Sequence, residues 1–442
     1  MQAPRTSDVR ASSTLMRAPA TRTYNFVEYT LRASSRAHAS WEASVQDSAT
    51  ITESPAGSRV SSIDVARGLA MFLMTLDHVR DYFGASANPT DPATTTVALF
   101  FTRWVTHFCA PTFFLLTGAS AFLSSRSRTT RALPSFLIKR GLWLIVVEVV
   151  IMRCLSYQFN FDYHVTLLFI LWALGWSMIV LGLLSRFQPR VALIFGIVMI
   201  VTHNAFDGVQ AKALGAAAPL WTILHAPGFL ISGDSHVVFA AYSLIPWVGV
   251  TALGYGLAPI FLGDATKRRA VFLRAGMAMI VAFVLLRFIN IYGDPSPWSV
   301  QRSPVFTSLS FLNTTKYPPS LLFLLMTLGP LFLFLRKFDG HIPAVLRPAA
   351  ILGRVPMFYF VLHITLIHLL ALVVCYARYG AIHWMFESPS LQFFPFTQPP
   401  GWPVALPYIY LLWWLVVVML WPLCRWFAGV RRTRKDWWLS YL

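Results

Sequence analysis

Apolar stretches of about twenty residues recur along this chain from residue 61 to residue 430, and alternate returns between them carry a cluster of Lys or Arg. A stretch of that length crosses the roughly 30 Å hydrocarbon core as a helix, and lipid offers no partner to an unpaired backbone group. The pattern therefore predicts an all-α, polytopic helical membrane protein. Composition agrees: 56% of the 442 residues are hydrophobic and only 12% are charged, unlike a soluble domain. A net charge of +18 could suggest a nucleic-acid partner, but its placement excludes one. The basic residues sit in short clusters between apolar runs, as cytoplasmic loops of membrane proteins do. Cys109, Cys154, Cys375 and Cys424 all lie in apolar runs without metal-ligand spacing, so neither a disulfide framework nor a metal is expected.

The pattern resolves into ten expected spans, near 66–83, 97–123, 141–157 and 165–184, a fifth that follows the turn marked by Arg186 and Arg190 and runs to about 206, then 237–262, 270–292, 319–335, 355–376 and 404–427. With both termini cytoplasmic, most Lys and Arg fall inside, Lys212, Arg302, Lys316 and Arg378 fall in outer loops, and Arg80, Arg103, Arg153 and Arg287 fall within spans. On this topology residues 126–140 face the cytoplasm and the long loop 207–236 faces outward. Residues 1–60, rich in Ala, Ser, Thr and Arg, read as a disordered basic cytoplasmic tail, or as upstream sequence from a start placed too early. Residues 61–430 form the membrane domain and 431–442 a second basic cytoplasmic tail.

The first span carries ionisable groups at both ends: Asp64 and Arg67 at its start, Asp77, His78, Arg80 and Asp81 near its finish. Charge within a membrane is expensive and marks function by default. Arg67 and His78 are eleven residues apart, which places them within about 20° of one helix face and ~16 Å apart along it. That separation suits a long, thin ligand held by phosphates at one end and reacting at the other. The structural alternative is an Arg at a cytoplasmic helix end and a His satisfied by a neighbouring helix. Histidines gather on the outer side, among them His78 and His107, while His363 and His368 lie inside the ninth span. None has the spacing of a zinc helix, so general acid–base chemistry is the favoured use.

The run Asp64-x-x-Arg67-Gly68-x-Ala70, closed by His78, resembles the first helix of bacterial membrane O-acyltransferases that decorate polysaccharides. Four further stretches are similar to the catalytic domain of heparan-alpha-glucosaminide N-acetyltransferase and its bacterial relatives. They are Arg103-Trp104-Val105-Thr106-His107-Phe108-Cys109-Ala110-Pro111 with Gly118-Ala119-Ser120, Ile245-Pro246-Trp247-Val248-Gly249, Phe311–Ser320, and Gly353–His363. The resemblance implies an inner-membrane enzyme that takes acetyl-CoA from the cytoplasm and acetylates an amine or hydroxyl of a sugar or glycan at the outer face. Arg67 would lie near the CoA phosphates, with Asp64 and Arg140 on the same inner rim. His78 would serve as base or acyl relay, oriented by Asp77 or Asp81, with His107 as proton shuttle and His363 as the other candidate base. Asn313 and Lys316 would bind the acceptor or an oxyanion, against a plain reading as a polar loop before a Pro-Pro helix start. The related N-acetyltransferase has an amide where His78 stands, so direct transfer and a His-linked acyl intermediate both stay open. The expected partners are the lipid bilayer, acetyl-CoA and the acceptor, with a homo-oligomer left open. The competing reading is a transporter or flippase for a polar or glycan-type substrate, whose two related halves the sequence does not display.

Overall fold

The computed structural model describes residues 61–440, apart from 86–87, 126–131, 158, 160–163 and 435. The expected N-terminal tail, the basic cluster at 126–131 and most of the return before residue 164 therefore lie outside the described residues. What is described is mostly helical and built around α1, Ser61–Phe83. Around it pack α3 (Cys109–Ser125), α11 (Leu321–Lys337), α12 (Arg347–Arg354), α13 (Pro356–Tyr379) and α14 (Leu406–Thr433). A second group joins α4 (Ala132–Val146), α5 (Ile170–Leu184), α6 (Pro189–Thr202) and α8 (Leu244–Leu257), while α9 (Ala265–Ile289) runs along α11.

Among the described residues six helices are long and apolar enough to cross a membrane: Val97–Ser125, Pro189–Phe206, Leu244–Leu262, Ala265–Ile289, Pro356–Tyr379 and Leu406–Thr433. The other four expected spans are helical as well, but each departs from a plain apolar crossing. α1 is too charged, α5 and α11 have only 15 and 17 residues, and α4 passes into a π-helix over Val147–Tyr157. At 15 residues α5 is about 22 Å long, short of the hydrocarbon thickness. Inside Val97–Ser125, α2 (Val97–Trp104) tightens to a 3₁₀ turn at Val105–Phe108 before α3 resumes. Pro111 stands just past this turn, where its missing N–H cannot serve an α-helical bond.

Two expected spans begin as strands instead. Val165–Leu168 (β1) and Val237–Ala240 (β3) pair in parallel, and Gly228–Ser232 (β2) pairs antiparallel with β3. β-branched Val165, Thr166, Val237 and Val238 favour the pleat. The helices after them start at Ile170 and Leu244, later than the hydropathy suggests.

α1 and α12 cross at backbone contact. A Cβ on Gly68 would collide with the Ala349 carbonyl, and one on Gly353 with the Asp64 carbonyl. Only glycine permits that approach, and it fixes the height at which the Asp64–Arg67 turn meets the end of α12.

Candidate active site

The two ends of α1 hold their charges differently. At the Arg67 end the guanidinium is taken up by protein. Nη1 donates to the Gly353 carbonyl at 3.1 Å and Nη2 to Ser120 Oγ at 2.7 Å, while Asp64 lies 3.5 Å away. Arg354 approaches the other oxygen of Asp64 at 3.9 Å with its own side chain 40% exposed. Asp64 and Arg67 thus tie α1 to α3 and α12, and Arg354 is the cation left facing outward beside them. Arg140 lies half-buried on α4.

At the Phe83 end, Asp77 is 8% exposed and bridges two cations. Arg80 Nη2 donates to one of its oxygens at 2.9 Å, and Arg103, from α2, engages the other at short range. Arg80 also reaches Asp81 at 2.5 Å. A buried carboxylate between two guanidiniums is stabilised by strong charge-assisted hydrogen bonds, so this triad is fixed. Beyond it opens a cavity of about 1030 Å³, walled by Arg80, Asp81, Arg103, His107, Asn313 and Lys316 and rimmed by residues 88–90 and the aromatic run Phe393–Phe396.

His107 sits in the 3₁₀ turn between α2 and α3, 3% exposed, with its ring against Phe323. Its Nδ1 is buried and has no hydrogen-bond partner among the described residues. A buried imidazole nitrogen left unpaired costs folding energy, which makes it a candidate for a role with ligand. His78 is elsewhere. Its Nδ1 lies 3.7 Å from Asp81, and its ring centroid is 5.2 Å from that of His363 on α13. His363 is fully buried, with Nδ1 at 3.1 Å from the Tyr359 carbonyl and Nε2 without a partner among the described residues.

Asn313 and Lys316 arrive on the segment between α10 (Pro304–Leu312) and α11, and Asp294 holds that segment. Asp294 accepts from Thr315 N (2.9 Å), Thr315 Oγ1 (2.8 Å) and Ser320 Oγ (2.7 Å). Arg287, 1% exposed, adds bonds to the carbonyls of Phe311, Ser310 and Asn313. The Asn313 amide donates to the Thr90 carbonyl, a loop-bridging duty that matches its plain structural reading. Lys316 is different: it is 9% exposed, and no hydrogen bond or ion pair holds its ammonium among the described residues.

A family model for the heparan-alpha-glucosaminide N-acetyltransferase catalytic domain matches residues 59–290, just over half of the chain. The chain belongs to that family. The match takes in α1 with both of its charged ends, Arg103 and His107, and stops before Asn313, Lys316, Arg354 and His363. No curated protein matches the chain. Membership makes this a membrane acetyltransferase.

Of the residues expected from sequence, the cavity wall brings together His107, Asn313 and Lys316, with Asp77 directly behind Arg80 and Arg103. It does not bring in His78 or His363, which face each other, nor Asp64 and Arg67, which lie toward the far end of α1. Asp77 engages arginines rather than orienting His78. The i, i+3 spacing of Asp77 and Arg80 carried the signal for half of that triad. Nothing in the sequence marked Arg103 as its other half, or Phe393–Phe396 as the rim. Glu148 accepts the backbone N–H groups of Leu171 and Trp172 at the start of α5, where a helix favours negative charge.

Proposed function

We propose that the protein transfers an acetyl group from acetyl-CoA to an amine or hydroxyl of a sugar-type acceptor held in the cavity at the Phe83 end of α1. The observation that carries this reading is the buried His107 imidazole on the cavity wall, with Nδ1 unpartnered and two guanidiniums and an ammonium beside it. His107 is the base: it takes the proton of the attacking N–H or O–H and returns it to the CoA sulfur as the C–S bond breaks. Arg103 and Lys316 supply positive charge where the carbonyl oxygen becomes negative. At the other end of α1, Arg67, Asp64 and Arg140 form the donor rim. Arg67 already serves three protein partners, so the exposed Arg354 adds the donors that CoA phosphates need.

The topology that fits this chemistry has ten spans, the six long apolar helices together with Ser61–Phe83, the helix from Ala132 through Tyr157, Ile170–Leu184 and Leu321–Lys337. It places both termini and the basic returns in the cytoplasm, with the cavity on the outer side of a bacterial inner membrane. A second reading of the base has its own support. His78 and His363 face each other at 5.2 Å, a pairing in which His78 carries the acetyl group or moves the proton while His363 accepts it.

The test is transfer of labelled acetyl from acetyl-CoA to amino sugars and neutral sugars by the purified protein in nanodiscs. Labelled N- or O-acetyl product is expected. No product and no acetyl-CoA binding would overturn the reading and leave the transporter alternative.

A further inference from the structure

The aromatic rim of the cavity belongs to the segment between α13 and α14, and both ends of that segment are tied to the helices beneath. At one end His368 Nε2 donates to the Met385 carbonyl at 2.9 Å. At the other, Gln398 donates to the Gly84 carbonyl (3.0 Å) and the Trp402 indole to the Tyr82 carbonyl (2.8 Å). Thr397 N donates to the Glu387 carbonyl at 2.7 Å, which closes residues 388–396 into a loop whose Gln392–Phe396 stretch lines the cavity. His164 grips this loop from outside it. Its Nε2 stands 2.9 Å from the Pro389 carbonyl and its Nδ1 2.9 Å from the Ser235 carbonyl, in the turn between β2 and β3. On either side of Pro389 the Ser388 and Ser390 hydroxyls are buried without a partner among the described residues. Unmet buried hydroxyls cost energy, so the loop gives up little by leaving this arrangement.

A backbone carbonyl can only accept, and a neutral imidazole has one N–H to give; the imidazolium has two. Two carbonyls at 2.9 Å, one on each ring nitrogen, therefore match the charged ring. In the neutral ring one nitrogen turns a lone pair toward a carbonyl oxygen, and that contact has to open. Histidine is the side chain whose charge changes between pH 5 and 8. Of the two contacts, the one to Pro389 is the one free to yield. Val237 N donates to the His164 carbonyl at 2.7 Å and β1 pairs with β3, so His164 and the Ser235 turn are held in register by the sheet. The other ionisable groups on the elements it joins are Asp234 and His236 beside Ser235, and His383 and Glu387 on the rim segment. Asp162 and Tyr163, which precede it in sequence, lie outside the described residues. Resting on the reading of this cavity as the acceptor chamber, we propose that His164 is a pH-operated clasp. Charged, it holds the 388–396 loop down over the mouth of the chamber; neutral, it releases the loop and the chamber opens.

The experiment is a spin-label distance measurement on the full chain in nanodiscs, at about pH 5.5 and about pH 8.5, on either side of the histidine range. The four native cysteines are buried, so labels go to Ile231→Cys on β2 and Gln392→Cys on the loop, both exposed positions. Losing a hydrogen bond to a charged group should raise the open-to-closed ratio about tenfold or more. The distances should be short and narrowly spread at the lower pH and gain a longer component at the higher. His164→Arg stays charged and has donors for both carbonyls, so it should keep the short distances at both values. His164→Phe has no donor and should show the longer component at both. Distances that do not change with pH in the protein with His164 intact would overturn the proposal. So would a pH shift that persists in either variant, which would belong to Asp234, His236, His383 or Glu387. Should one variant fail to fold, the other beside the His164 protein still decides. Acetyl transfer measured on the same samples separates this inference from the enzyme reading. A His164-dependent shift without transfer leaves the clasp standing and removes the enzyme; transfer with distances indifferent to pH does the reverse.

Discussion

The two ends of α1 carry similar side chains and use them in opposite ways. At the Arg67 end each charged group has protein partners within reach: Gly353 and Ser120 for Arg67, and both arginines for Asp64. Glycines there let the backbones meet. At the Phe83 end the arginines are paired through Asp77, but among the described residues His107 Nδ1 and the Lys316 ammonium have no partner, and a cavity stands in front of them. Charge in a membrane helix is therefore an incomplete marker of function. What separates a clamp from a site is whether the protein itself satisfies the charge.

The contrast is broken most severely at Asp77. Asp77→Asn leaves Arg80 and Arg103 buried without their shared carboxylate, a loss of about 3–5 kcal/mol. The thermal midpoint in detergent should fall sharply, whereas Asp81→Asn, at a side chain 42% exposed, should cost less than about 1 kcal/mol. Equal effects would mean that the triad is not what holds the Phe83 end together.

Crowding at the opposite end gives the next largest effect. Gly353→Ala forces a methyl into the Asp64 carbonyl and should destabilise by about 1–3 kcal/mol, read as a lower unfolding midpoint. A neutral result would show that α1 and α12 can part without penalty.

Arg67→Lys sharpens the comparison. An ammonium cannot copy a planar fork that reaches Gly353 and Ser120 together, so stability should fall by about 1 kcal/mol. If acetyl-CoA affinity falls while the midpoint stays, Arg67 belongs to the donor site first and to the clamp second.

The smallest effect lies outside the spans. Burial alone would raise the Asp207 carboxyl, but hydrogen bonds from His225 and Asn204 more than offset it and hold it below the usual carboxylate range. A lowered folded pKa contributes stability above the unfolded value of about 3.9 and loses it as pH falls through the folded one. Asp207→Asn should lower the midpoint at pH 7, and the gap from wild type should close below about pH 4. A gap that is constant with pH would mean the carboxylate charge contributes nothing.

Much of this was legible in the sequence. Charges embedded in an apolar run stand out, so the sequence alone marks α1 and its residues Asp64, Arg67, Asp77 and His78. Lys316 and His107 were reached through motifs. β1 and β3 were not, because Val165–Leu168 and Val237–Ala240 run into the following helices as unbroken apolar sequence, where periodicity cannot separate strand from helix. The facing of His78 was also hidden. Helical spacing put it on one side with Arg67, but a face is shared by several neighbours, and α13 meets it with His363 while the cavity opens on the side of Arg80 and Arg103. Pairings that bridge distant segments, such as Arg103 with Asp77, leave no local trace.

The direct test of the open end as the site of chemistry is the single-turnover rate of labelled acetyl transfer in His107→Ala beside His78→Ala, with acetyl-CoA binding measured on both. Loss of a general base lowers the rate about 10²–10⁴-fold. His107→Ala is expected to show that loss with donor binding intact, while His78→Ala keeps the larger share of its activity. Full transfer by His107→Ala, with His78→Ala dead and still binding acetyl-CoA, would contradict it and move the chemistry to the His78–His363 pair.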